Sequence, residues 1–137
     1  LSPYNTYKMQ LFRKYLLIIS FLFSFSSLFA QNDTENLVQI LQTASFNNLL
    51  PYWGEQVEVN IIQQINQKQL NATAANEQLQ AFFNKQNIIG FEKTAERKLG
   101  NTIYVTGKLI SSQNKFSLTL LLEVSKKGVE ILSVRIS

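Results

Sequence analysis

Residues 91–136 read FEKTAERKLGNTIYVTGKLISSQNKFSLTLLLEVSKKGVEILSVRI, and they decide the fold. Three turn-forming breaks divide the stretch: Gly100-Asn101, then Ser111 to Asn114, then Lys126-Lys127-Gly128. They leave four segments, Phe91–Leu99, Thr102–Ile110, Lys115–Val124 and Val129–Ile136, each of strand length. Connections this short join neighbouring strands antiparallel, so the last third is predicted to be a meander. Phe116, Leu118, Leu120, Leu122 and Val124 fall on one face of the third segment and form the clearest core row.

Upstream, Val57, Val59 and Ile61 alternate with Glu58 and Asn60, the period of a half-buried strand. The Gln/Asn-rich run from Gln63 to Asn71 that follows reads as a loop or a frayed extension of that strand. Thr73 is placed as the N-cap of a helix reaching about Lys85 and burying Leu79, Phe82 and Phe83. Phe46 to Trp53 is a compact element, a short helix or turn closed near Pro51 and Gly54. Asp33 or Thr34 is placed as the cap of a first helix, with Glu35 in its first turn and Leu37, Ile40, Leu41 and Ala44 on its apolar face. Helices followed by strands predict an α+β domain, with N-terminal helices packed on a curved four- to five-stranded antiparallel sheet.

The chain has 137 residues, 45% hydrophobic and 16% charged, which suits one domain with a buried core. Three of its thirteen basic residues, Lys8, Arg13 and Lys14, precede Gln31, whereas all nine acidic residues follow it. The part after the leader is therefore nearly neutral, and no nucleic-acid partner is expected. The sequence has no Cys and no His, which excludes thiol catalysis, Ser-His triads and Cys/His zinc sites. No metal or cofactor is expected. From Met9, a positive start with Arg13 and Lys14 leads into an apolar run, a Ser-rich stretch and Leu28-Phe29-Ala30. This is the pattern of a signal peptide over residues 9–30, cut between Ala30 and Gln31. Residues 1–8 carry no targeting pattern and read as upstream read-through, and residues 31–137 read as one α+β domain. Residues 15–30, diluted by serines, fall short of the roughly 20 apolar residues that span a bilayer, so no membrane anchor is expected after cleavage.

Several residues, in order, resemble an exported bacterial family known as domain of unknown function 4783. Phe82-Phe83 ends a helix, Gly90-Phe91 opens the meander, Tyr104 stands three residues before Gly107, and Lys115-Phe116 and Arg135-Ile136 follow. The resemblance runs from Leu37 to Ile136 and departs from the family in the polar run Gln63 to Asn71 and around Trp53. It implies the cone-shaped fold of the nuclear-transport-factor-two-like (cystatin-like) superfamily, with a pocket between helix and sheet. It further implies a periplasmic or secreted location in a Gram-negative bacterium, and it carries over no catalytic residues.

Tyr52, Trp53 and Tyr104 are the aromatics expected to rim that pocket, because each joins a large apolar ring to a polar atom; packing in the core is the competing role. Glu92 and Glu96, spaced about Thr94, are placed on one strand face with Lys93 and Arg97 on the other. Paired carboxylates there would serve acid–base chemistry only if buried together, and a charged edge strand is the alternative. Glu123 and Glu130, near the Lys126-Lys127-Gly128 turn, are expected to be exposed. Gln56-Val57-Glu58-Val59-Asn60 approximates the Q-x-V-x-G loop of cystatin-type inhibitors but ends in Asn60, and Asn32-Asp33-Thr34 and Asn71-Ala72-Thr73 match glycosylation triplets only by pattern. The expected function is a non-enzymatic binding or interaction module whose partner is a protein or a small apolar ligand, a homodimer being compatible. A small pocket isomerase or hydrolase using Glu and Tyr is the alternative, and a protease-inhibitor-like module the third reading. The mature protein is expected to begin at or near Gln31, soluble and unlipidated, since a lipid anchor at the cleavage site needs a Cys. Intact mass of the exported protein checks this, and a retained leader in the membrane fraction would refute it.

Overall fold

The computed structural model describes residues 32–62 and 65–137, residues 65–68 by their backbone alone. The leader at 9–30, its cleavage point at Ala30 and Gln31, and residues 1–8 lie outside the described residues. The compact unit Asp33–Ser137 begins within helix α1, described over residues 32–42, and continues with a 3₁₀ helix, η1, at Phe46–Tyr52. Strands β1 (Trp53–Ile61) and β2 (Ile65–Leu70) follow, then helix α2 (Ala72–Lys85). The meander β3 (Ile88–Leu99), β4 (Thr102–Ser111), β5 (Phe116–Ser125) and β6 (Gly128–Ile136) completes it. The six strands form one sheet in the order β2-β1-β6-β5-β4-β3.

The meander is as the turns predict, with β3 to β6 paired antiparallel in sequence. The rest of the sheet corrects the expectation of four or five antiparallel strands. A sixth strand, β2, forms from the polar run, and β1 pairs with β6 in parallel, Val59 beside Val134 and Ile61 beside Ile136. Residues 65–70 lack apolar alternation, yet they stand beside β1 and satisfy its outer row of backbone groups. One extra residue in β2 is absorbed at Gln69, whose φ is 65°.

Helix starts also differ from expectation. Asp33 and Thr34 lie within α1 rather than capping it, and Thr34 is buried. The cap of α2 is Asn71, whose side chain accepts from the Ala74 N–H at 2.8 Å, so Thr73 falls inside the first turn. Asn is among the strongest N-cap residues, and its amide oxygen reaches the N3 donor from this position. α1 closes at Ala44, φ 57°, with Ala44 N–H donating to the Leu41 carbonyl and Ser45 N–H to that of Ile40. That pair of bonds is a Schellman closure.

One apolar cluster fills the space between the helices and a single sheet face. α1 gives Leu37 and Leu41, α2 gives Leu79, Phe82 and Phe83, and the sheet answers with Val57, Val59, Val105, Leu118, Leu120, Leu122 and Val134. Phe82 meets Phe116 edge-on at 5.1 Å, and Phe83 stacks against Phe46 at 4.1 Å. A Cβ at Gly107 would run into the Glu92 carbonyl oxygen and the ring of Phe91. That ring occupies room that only a glycine leaves. Trp53 donates its indole N–H to Asn76 Oδ1 at 3.0 Å and Gln80 donates to Asn47 at 2.6 Å, which ties α2 to β1 and η1.

β3 carries two bulges, at Ile89 and at Thr94, where two of its residues face one step of β4. Bulges bend a strand and deepen its twist, which contributes to the curvature of the sheet. The Thr94 bulge also resets the alternation of side chains, and the Thr94 hydroxyl donates to the Thr106 carbonyl at 3.1 Å.

Two outcomes are expected from this packing. Phe82→Ala should cost about 3–5 kcal/mol of stability, read from urea midpoints, much of a typical total of roughly 5–15 kcal/mol; an unmoved midpoint would refute the burial. The second concerns Tyr52, at the end of η1. Burial and, second, the negative charge of Asp33 push its phenol above the ordinary 10.0. Below that value both folded and unfolded chains keep the proton, but above it the unfolded chain releases it first. Stability should therefore be lost as pH rises from about 10 through the folded value. Tyr52→Phe should flatten that alkaline fall in urea unfolding, and an identical slope in both proteins would refute it.

Candidate functional site

The three aromatics expected to share a rim do not meet. Trp53 is buried in the core, its indole committed to Asn76. Tyr52 is half-buried and packs against the same core. Tyr104 points to the opposite, helix-free face of the sheet, between the buried Ile103 and Val105, and is 39% exposed. There it lines a shallow groove with Ala95, Arg97, Leu99 and Thr106. Among the described residues, the side chains of the apolar cluster lie between helix and sheet.

The paired-carboxylate reading meets a similar correction. Glu92 pairs with Lys108 and Glu96 with Val105, and Lys108 and Val105 belong to opposite faces of β4. The bulge at Thr94 thus sends the two carboxylates to opposite sides of β3. It also brings Lys93 and Glu96 to the same side, where they form an ion pair at 3.6 Å. Both partners are well exposed, so the pair contributes little stability. Glu123 and Glu130 are cross-strand neighbours, Glu123 exposed and Glu130 half-buried. Among the described residues no group of three or more Asp and Glu is placed to hold a metal ion.

A concavity that the sequence did not suggest opens at the C-terminal end of α2. Its volume is about 310 Å³, and Ile62, Phe82, Gln86, Asn114, Lys115 and Phe116 line it together with Ser137. Four pieces of chain converge to make it. The Phe82–Phe116 contact supplies an aromatic wall. Ile62 stands just past β1, its N–H donating to the Ile136 carbonyl at 3.0 Å and its side chain 47% exposed. Gln86 caps α2, and its carbonyl accepts from the Ser111 hydroxyl at 2.6 Å. Its side-chain Oε1 accepts from Asn114 Nδ2 at 3.4 Å. Lys115, exposed, enters from the turn before β5. The sequence held Phe82 and Phe116 only as core. Nothing local ties Ile62, Gln86 and Lys115 together, because they meet only when β1 and α2 end, and β5 begins, at the same edge of the core.

An apolar wall with a few convergent polar groups is the usual make-up of a small-ligand site. No acidic side chain is among the lining residues, and the backbone oxygen of Ser137 accepts from the Ser117 N–H at 2.8 Å at the same edge. The cleft offers contact surface with a few hydrogen-bonding groups at its rim.

Comparison with known proteins agrees with this fold. A protein of the DUF4783 family from Bacteroides fragilis matches with a TM-score of 0.66 at 24% identity, over 73% of this chain and 92% of that one. A second, from Bacteroides ovatus, matches with a TM-score of 0.66 at 22% identity, over 73% and 89%. An NTF2-like protein of unknown function from Cytophaga hutchinsonii matches with a TM-score of 0.54 at 13% identity, over 79% and 88%. At such identities the likeness is one of fold. No curated protein matches the chain. The family model for the domain of unknown function DUF4783 matches residues 34–137, three-quarters of the sequence, and the chain belongs to that family, with the NTF2-like α+β fold.

Proposed function

We propose that this protein is an exported, non-enzymatic binding module that takes a small, largely apolar ligand in the cleft at the end of α2. The cleft itself carries the reading: Phe82, Phe116 and Ile62 present apolar surface at an opening about 310 Å³ in volume. Binding is favoured over turnover by the lining side chains, which are apolar groups, two amides, one hydroxyl and one ammonium. Export rests on the leader pattern up to Ala30, and no polyanion partner is invoked because the region after it is nearly neutral.

The cleft has room for roughly ten non-hydrogen atoms at about 30 Å³ each. A neutral chain of that size, 1-octanol, is expected to bind with a Kd in roughly the millimolar range. In ¹H–¹⁵N spectra the shift changes should centre on Ile62, Phe82, Gln86 and Phe116. Trp53, the sole tryptophan, is tied to α2 well before its C-terminal end, and its fluorescence should stay unchanged. Changes confined to the Ala95–Thr106 groove, or none at all, would refute the site.

A further inference from the structure

The helix-free face of the sheet carries a row of side chains that crosses five strands at one level. Strand pairing sets Arg97 of β3 beside Tyr104 of β4, and Tyr104 beside Leu121 of β5. Leu121 in turn stands beside Ser133 of β6, and Ser133 beside Glu58 of β1. Val57 and Val59, Ile103 and Val105, and Leu120 and Leu122 turn into the core, so the residues between them turn out. The row is therefore cationic at one end, apolar in the middle and anionic at the other. Arg97 and Glu58 are both exposed. Four strand spacings, about 19 Å, separate them, too far for them to pair within one chain. Leu99, Tyr104 and Ile110, three of the six large apolar side chains left exposed among the described residues, lie on this same face.

We propose that the protein pairs with a second copy of itself through this row, helix-free face against helix-free face. Turned over about a twofold axis along β5, the second copy lays its Glu58 against Arg97 and its Arg97 against Glu58. Leu121 then meets Leu121 on the axis, and Tyr104 comes over Ser133. In the next row, which runs from Ala95 through Thr106, Thr119 and Arg135 to Asn60, Arg135 comes over the Thr106 hydroxyl. Five strands about 4.8 Å apart, over about eight residues at about 3.3 Å each, present roughly 600 Å² per copy. Full contact removes about 1,200 Å², the low end of what a specific interface buries. The near-neutral charge of the region after the leader leaves little overall repulsion between copies. One like-charge meeting opposes the pairing, that of Glu123 with its own copy near the β5–β6 turn. Aligned sheets cross at about 30°, which carries strand ends apart, and Glu123 is exposed, so salt screens the repulsion. The pairing is separate from the cleft, and neither reading rests on the other.

The test is sedimentation equilibrium of the purified exported protein across a concentration series, at low and at high salt. A dimer is expected with a Kd of roughly 10–100 µM, weaker at high salt. Arg97→Glu and Glu58→Arg should each raise that Kd about tenfold or more, because two attractive pairs become two repulsive ones. Both positions are exposed, so the unfolding midpoint of the dilute monomer should not move. Mixing the two variants should restore pairing, since every Glu then faces an Arg across the interface. The distance between residues 97 and 58 in one chain makes that recovery a signature of contact between copies. Tyr104→Asp should weaken the dimer in the same way, and Glu123→Gln should tighten it about two- to threefold at low salt. A protein that stays monomeric well above the expected Kd overturns the proposal. A dimer that neither reversal weakens forms through another surface and overturns it too. Weakening by both reversals without recovery in the mixture overturns the assignment of Arg97 to Glu58.

Discussion

β6 is hydrogen-bonded on both sides to strands drawn from opposite ends of the domain. β5, its neighbour in sequence, lies antiparallel on one side, while β1, more than sixty residues earlier, lies parallel on the other. Ile131, Val134 and Ile136, almost fully buried, face the helices from this central position. Without the β1–β6 ladder the β1–β2 hairpin would be joined to the meander only through helix packing, and an isolated two-stranded hairpin is marginal in water. The Trp53–Asn76 and Gln80–Asn47 bonds then fix α2 over the joint. A long-range parallel pairing is what turns a meander with helices into a single layered domain.

The same joint accounts for where the molecule is closed and where it opens. Across the middle of the sheet every helix-facing position carries a large apolar side chain or a glycine covered by one. At the edge where β1 and β6 end, β5 begins and α2 stops, no element continues to cover Phe82 and Phe116 fully, and a cleft remains. Its polar groups are the ends of structures, a cap glutamine and a turn lysine. A helix cap and a turn are where polar side chains are most easily afforded, so apolar floor and polar rim arise from one cause.

Much of this was legible in the sequence, and the parts that were not share a physical origin. The meander was readable because its breaks are turn formers and its third strand alternates cleanly from Phe116 to Val124. β2 was not, because an edge strand beside an already buried neighbour needs backbone groups more than apolar side chains, and residues 65–70 announce nothing by composition. The parallel placement of β1 was hidden for a related reason: Val57, Val59 and Ile61 declare a strand but not its partner. Glu92 and Glu96 were assigned to one face by a period of two that the Thr94 bulge interrupts, and bulges leave no compositional mark here. Tyr104 was read as a pocket residue from its chemistry, whereas its neighbours Ile103 and Val105 take the inward positions and turn it out. The cleft is the least legible feature of all, since its members are far apart in sequence and ordinary one by one.

The ring of Phe91 seated on the bare backbone of Gly107 has a consequence for how this architecture changes over time. A stopper made of one side chain can be withdrawn by one substitution, leaving the backbone recess and the surrounding apolar cluster in place. Voids of about 150 Å³ with walls of that kind stay dry and admit benzene-sized guests. The passage from a solid interior to a hollow receptor is then a single step along a lineage, with no strand to be re-registered and no helix to be moved. Capacity for an internal guest on this scaffold therefore turns on the side chain at one position rather than on the fold that carries it.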